Sequence, residues 1–187
     1  LWSASLFDYA FKDPDARNVS LAIMCYQRAI HYNPNNADAL TRLGNLYMSN
    51  QHDHHISLAI KYLKLAIKAR SSRATCSLGD GTINLGTIYQ EKGPDQNLQL
   101  ALHYYQLASK KGNNFGLYKI GQLYYHGIGV RVSLKTAITY FHQAASSDND
   151  CYGNNSKAQN MLGYLYYYGI GEPTDKALAK RWFSKAY

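Results

Sequence analysis

Cysteine is scarce in this 187-residue chain: Cys25, Cys76 and Cys151 are odd in number and follow no regular spacing, so a framework of disulfides does not hold it together. Unpaired thiols are the expected state, which favours a reducing compartment without fixing one; a single Cys76–Cys151 bridge stays open. No run of about 18 apolar residues occurs, which excludes a membrane-spanning helix within the stretch. Acidic residues are also few, 12 against 20 basic, for a formal charge of +8. That excess points to anionic partners, but the basic residues are scattered. Lys68, Arg70, Lys110, Lys111 and Lys185 fall near expected helix ends, where cations offset the macrodipole. No basic nucleic-acid motif is present, so an acidic protein partner or an anionic lipid surface is favoured over nucleic acid.

Catalytic constellations are missing too. His31, His103, His126 and His142 lack an acidic orienting residue close in sequence, and the cysteines lie outside any local nucleophile signature. The run His52, Asp53, His54, His55 has metal-ligand chemistry, but adjacent loop residues rarely converge on one ion and no second cluster completes a site. It reads as a solvated loop that gains charge as the pH falls toward 6. The glycine pairs Gly127/Gly129 and Gly169/Gly171 follow helices instead of strands and lack a third glycine, which rules out a nucleotide-binding loop. They fit left-handed backbone at helix C-termini. No enzyme activity, cofactor or metal is implied.

What the chain does have is a pattern that returns four times, an apolar residue, a glycine and a tyrosine three places later: Leu43-Gly44-Tyr47, Leu85-Gly86-Tyr89, Ile120-Gly121-Tyr124 and Leu162-Gly163-Tyr166. The glycines recur at intervals of 42, 35 and 42 residues, the range of stacked supersecondary repeats. A second pattern interleaves with it at i, i+4 and i+7: Ala22, Tyr26, Ala29; Ala59, Leu63, Ala66; Ala101, Tyr105, Ala108; Ala137, Phe141, Ala144; Ala179, Phe183, Ala186. One face of a second helix is thereby marked, small at its ends and large between. Each glycine lets that helix approach, and the large residue fills the space beside it. The expected unit is a pair of antiparallel helices.

These combined patterns resemble the tetratricopeptide repeat and, more closely, its Sel1-like relative. The finer likeness rests on Leu123-Tyr124-Tyr125-His126-Gly127-Ile128-Gly129 and Leu165-Tyr166-Tyr167-Tyr168-Gly169-Ile170-Gly171, each joining a first helix to a second through a GxG loop, and on the closing Ala179-Lys180-Arg181-Trp182-Phe183. It covers residues 20 to 187. The implied fold is an all-α, right-handed superhelical solenoid in a single array over 1–187, with helix pairs at 1–34, 37–70, 79–112, 115–148 and 157–187. Ser49–His55 and Gly93-Pro94-Asp95 replace the GxG loop in the second and third repeats, and Pro34 sits where a tetratricopeptide repeat ends. Segments 71–81 and 147–156 read as insertions between repeats. Starting at Leu1 and stopping at Tyr187, the chain looks like a piece of a longer array, so the absence of a leader says nothing of the parent protein.

The resemblance implies that the first helices line a concave face. Positions two before and two after the apolar partner of each glycine are then expected to point out of the seam: Thr41 and Asn45, Ile83 and Thr87, Tyr118 and Gln122, Asn160 and Tyr164, with Met48, Gln90, Tyr125 and Tyr167 one turn on. The groove is expected to be polar in its N-terminal half and tyrosine-rich in its C-terminal half, a composition suited to recognition. Asn45 matches a position of the carboxylate clamp of some tetratricopeptide domains, but Thr41 stands where that clamp needs lysine. The implied role is a non-catalytic scaffold or adaptor binding a partner protein or peptide there. The alternative is an accessory regulatory, polysaccharide- or cell-envelope-binding repeat domain; the oligomeric state stays open.

Overall fold

The computed structural model describes residues 16–49, 55–69, 76–91, 93–146 and 155–187. The helices are α1 (Ala16–Tyr32), α2 (Ala37–Ser49), α3 (Ile56–Ala69), α4 (Cys76–Gln90), α5 (Leu98–Lys110), α6 (Asn114–His126), α7 (Leu134–Ser146), α8 (Asn155–Tyr168) and α9 (Lys176–Ala186). Among the described residues there is no strand, and no helix is long and apolar enough to cross a membrane. The chain divides into two compact units, Leu1–Leu85 and Gly86–Tyr187.

In the first unit α2 packs on α1 and α3; in the second α6 packs on α5 and α7, and α8 on α7 and α9. The glycine motif makes the seam of each hairpin. Leu43, Leu85, Ile120 and Leu162 are fully buried, as are Leu63, Tyr105 and Phe141 on the second helices. A Cβ added to Gly44, Gly86, Gly121 or Gly163 would lie between 2.5 and 2.7 Å from Leu63, Tyr105, Phe141 or Phe183 respectively. Glycine is therefore required by close approach: any side chain there would displace the ring or branch that fills the seam.

The motif tyrosines have a second role. Tyr47 stacks on Tyr62, Tyr89 on Tyr104 and Tyr124 on Tyr140, with centroids 5.7, 5.7 and 5.9 Å apart. Their main chain also closes the hairpins, since Tyr89 O accepts from Asn97 N at 2.8 Å, Tyr124 O from Ser133 N at 3.0 Å and Tyr166 O from Asp175 N at 2.9 Å. Each donor is the residue just before the second helix. Asn97 and Asp175 then cap that helix with their side chains, accepting from Leu100 N at 3.0 Å and Leu178 N at 2.8 Å. The GxG loops run as expected, with positive φ at Gly127 (68°), Gly129 (69°), Gly169 (67°) and Gly171 (78°). The Gly93-Pro94-Asp95 loop reaches the same closing hydrogen bond without them.

Two boundaries differ from expectation. Residues 76–81, assigned to the first insertion, are helical as the start of α4. Gly81 is buried there, and a Cβ on it would touch Leu63 and Thr41 at 3.6 Å, so tertiary packing overrides the low helix propensity of glycine. Likewise α8 begins at Asn155, inside the expected second insertion. Residues 1–15 of the helix pair expected at 1–34, the rest of both insertions and His52–His54 lie outside the described residues.

Candidate functional site

The surface positions measured from the glycines do not behave alike. Thr41 is only 4% exposed, its Oγ1 donating to Ala37 O at 2.8 Å, and Ile83 is 6% exposed. Neither points outward as the helical spacing suggested, because the face they occupy is covered by packing. Asn45 is half-buried and its Oδ1 accepts from Asn84 Nδ2 at 2.6 Å. Thr87 lies 3.4 Å from the Tyr105 hydroxyl, which donates to Gln90 Oε1 at 2.7 Å. Burial pushes the Tyr105 phenol up to about 12, so this polar network is neutral and structural at physiological pH.

On α6 and α8 the corresponding residues are more open. On α6, Gln122 Nε2 donates to the Tyr118 hydroxyl at 3.0 Å, and Tyr118 leans on Phe141 and stacks on Phe115 at 5.8 and 5.7 Å. Burial raises the Tyr118 phenol. The Lys119 and Lys157 ammonium groups sit 5.4 and 4.9 Å from the Phe115 ring centre. Burial, then the charge of Lys157, lowers the Lys119 pKa, with Glu91 opposing. Tyr125, half-buried, meets His126 edge-on at 4.8 Å.

On α8, Asn160 is exposed, and Tyr164, Tyr167 and Tyr168 are 44%, 45% and 61% exposed. The three rings form one cluster, with Tyr168 lying 4.7 Å from Tyr164 and 4.9 Å from Tyr167, and Lys176 Nζ 5.7 Å from the Tyr167 centre. Three large aromatic rings left in solvent side by side are what a seam does not need and a contact surface does. The spacing rule did not pick out Tyr168, Phe115, Lys119 or Lys157; Tyr168 stands four places after Tyr164, a helical neighbour at the end of the same helix.

His55, the described residue of the histidine run, lies against Tyr47 with ring centres 5.3 Å apart. Among the described residues no group of three or more His, Cys, Asp and Glu is placed to hold a metal ion. Cys25 is a free thiol.

A family model for the Sel1 repeat matches residues 37–71, 79–113, 115–149 and 156–187, and one for the TPR repeat matches 18–51. The chain belongs to the Sel1 repeat family. Its fold is similar to that of a Sel1 repeat protein from Oxalobacter formigenes, with TM-score 0.71 and 24% identity over 90% of this chain and 63% of that one. It is also similar to c5321, a protective antigen present in uropathogenic Escherichia coli strains displaying an SLR fold. The TM-score there is 0.72 with 23% identity, over 97% of this chain and 36% of that one. Protein sel-1 homolog 2 of Homo sapiens is 34% identical over 76 residues, which is 41% of this chain and 10% of that protein. The ERAD-associated E3 ubiquitin-protein ligase component HRD3A of Arabidopsis thaliana is 35% identical over 79 residues, 42% of this chain and 11% of that protein. The matched segment thus spans about a tenth of either relative. These neighbours confirm an all-α fold of the solenoid class. Sel1 repeat proteins are typically protein-interaction scaffolds, and their fold is generally non-catalytic.

Proposed function

We propose that this Sel1 repeat chain holds a segment of a partner protein on the exposed face of first helices α6 and α8 of its second unit, with α8 supplying the main anchor. The observation that carries this reading is the tyrosine cluster, in which Tyr164 and Tyr167 both meet Tyr168 and all three rings remain exposed. Tyrosine gives contact area and a hydroxyl while freezing few torsions, which is why it recurs at interface centres. On α6 the paired Tyr118 and Gln122 and the neighbouring Lys119 offer polar and cationic contacts to a partner that carries acidic groups. HRD3A, by its name a component of a ligase, supports membership in an assembly over a free-standing activity. Within the second unit Thr87 remains a partial contributor from α4; in the first unit Asn45 stays half-buried, and Thr41 and Ile83 serve packing.

The test is affinity capture from an extract of the source organism with the wild type, the Tyr164→Ala/Tyr167→Ala variant and the exposed control Lys135→Ala. The expected result is a discrete protein retained by wild type and control and lost with the tyrosines, at an unchanged melting temperature. Equal retention by all three would sink the assignment. Retention on an insoluble glycan, lost with the same tyrosines, would favour the polysaccharide alternative.

A further inference from the structure

The face that α6 and α8 present is divided along its length. Measured from the motif glycines, Lys119 and Lys157 stand two and six positions before Gly121 and Gly163, whereas Tyr125, Tyr164, Tyr167 and Tyr168 stand one to five positions after them. Lys157, Tyr164 and Tyr168 are spaced seven and then four residues apart, so they fall on one stripe of α8, and all three are exposed. At about 1.5 Å of rise per residue, the lysine and the two tyrosines of that stripe are roughly 10–16 Å apart.

The lysine end is assembled from two helices. Lys119 rises from α6 and Lys157 from α8, yet both ammonium groups lie over the one ring of Phe115, 5.4 and 4.9 Å from its centre. The ring face attracts each cation but neutralises neither. No acidic residue stands on α6, on α8 or on α7, which packs against both. Burial first, and Lys157 second, work against the charge on half-buried Lys119. Glu91, exposed just after α4, opposes them and is the weakest of the three influences. Folding thus brings two like charges together where the helices themselves supply no opposite one. The pair is unfavourable alone and becomes favourable once an anion lies between the two.

Resting on the reading that this face holds a partner segment, we infer that the segment is extended and bipartite. The carboxylate of an acidic residue lies between Lys119 and Lys157, and an aromatic or large apolar side chain of the same segment lies on Tyr164 and Tyr168. Extended chain advances about 3.3 Å per residue, so the two side chains are three to five residues apart. Gln122 and Asn160 stand between the two ends and offer amide groups to the segment's main chain. The acidic residue supplies the missing sign, and the aromatic one buries rings that the seam leaves in solvent. A basic residue at the first place would meet two ammonium groups of its own sign, which selects against it.

The experiment titrates the isotope-labelled chain, followed by its amide resonances, with a synthetic glycine–serine peptide that carries glutamate four residues from tryptophan. A second peptide has glutamine in place of the glutamate. The glutamate peptide is expected to shift resonances around 119, 157 and 164–168 and to bind roughly tenfold more tightly than the glutamine peptide. That advantage should vanish in Lys119→Met/Lys157→Met, which keeps an unbranched side chain on Phe115; an unchanged melting temperature shows that the variant is folded. Equal binding of the two peptides, an advantage that survives in the methionine variant, or no shift at about 1 mM peptide overturns the proposal. Asp148→Asn/Asp150→Asn, in the segment outside the described residues, should leave the advantage as it is; a large gain would mean that the chain supplies its own counter-charge, and overturns it too. The glutamine peptide separates the two readings. If it shifts 164–168 and glutamate adds nothing, the tyrosine face stands and the bipartite site falls; if neither peptide shifts 164–168, both fall.

Discussion

In the hairpin α6–α7 the ring of Phe141 is fully buried against Gly121, whereas in α8–α9 the matching Phe183, set against Gly163, stays partly open. Other differences accompany that one. Tyr124 stacks on Tyr140 in the first of these hairpins; in the second, Trp182 takes the place of the stacking tyrosine and Tyr166 turns to His142, with Nε2 and the hydroxyl 2.8 Å apart. Tyr118 on α6 is half-buried, and Tyr164, two places beyond its own seam leucine on α8, is 44% exposed. The same motif therefore builds both hairpins, and they differ in how much of each is covered. The seam needs the glycine, the aliphatic residue and the ring; the proposed contact surface is assembled from what that packing leaves outside.

Several substitutions press on this difference. Phe141→Ala should cost about 3–5 kcal/mol, and Phe183→Ala clearly less, since the second ring is only partly removed from water. Denaturant unfolding of both variants checks this; equal losses would mean that the two seats are equally closed. Gly121→Ala and Gly163→Ala should each cost about 1–3 kcal/mol by forcing Phe141 and Phe183 aside, with Gly163→Ala the milder because Phe183 has open groove beside it. Asn113→Ala removes a buried cap that accepts from Phe115 N at 2.9 Å and Gly116 N at 3.2 Å, and should cost about 1–2 kcal/mol. Asp175→Ala, at an exposed cap, should fall at or below about 1 kcal/mol by the same measurement.

The smallest effect is a pH dependence in the second hairpin. Burial holds the His142 imidazole below its ordinary value, with Glu172 acting the other way. Its folded pKa is depressed, so the unfolded chain binds the proton more readily. The associated stability is fully present above about pH 6.5 and is lost as pH falls through the folded pKa. A decline in melting temperature of about 1–2 °C between pH 7 and 5.5, absent in His142→Gln, is the expected signature after allowing for the group's partial exposure.

Much of the helical plan was legible because the glycine and alanine registers act as rulers: α2 and α3 fall at 37–49 and 56–69, as their spacing indicates. Helix starts were less so. Gly79 and Gly81 read as loop, yet Gly81 is held in α4 by contact with Leu63 and Thr41, information that resides in another repeat. The candidate surface was legible by position but not by exposure. Thr41 and Tyr118 occupy the same register, and only the covering of the first distinguishes them.

The account's central claim, that the repeat motif builds the seam while the tyrosines left outside it make the contact, is tested most directly by photocrosslinking. A benzophenone amino acid would be placed at Tyr164 and, as a control exposed on α7, at Thr139. A discrete crosslinked protein from position 164 and none from 139 is the predicted result. The same adduct from both positions, or from 139 alone, would contradict it.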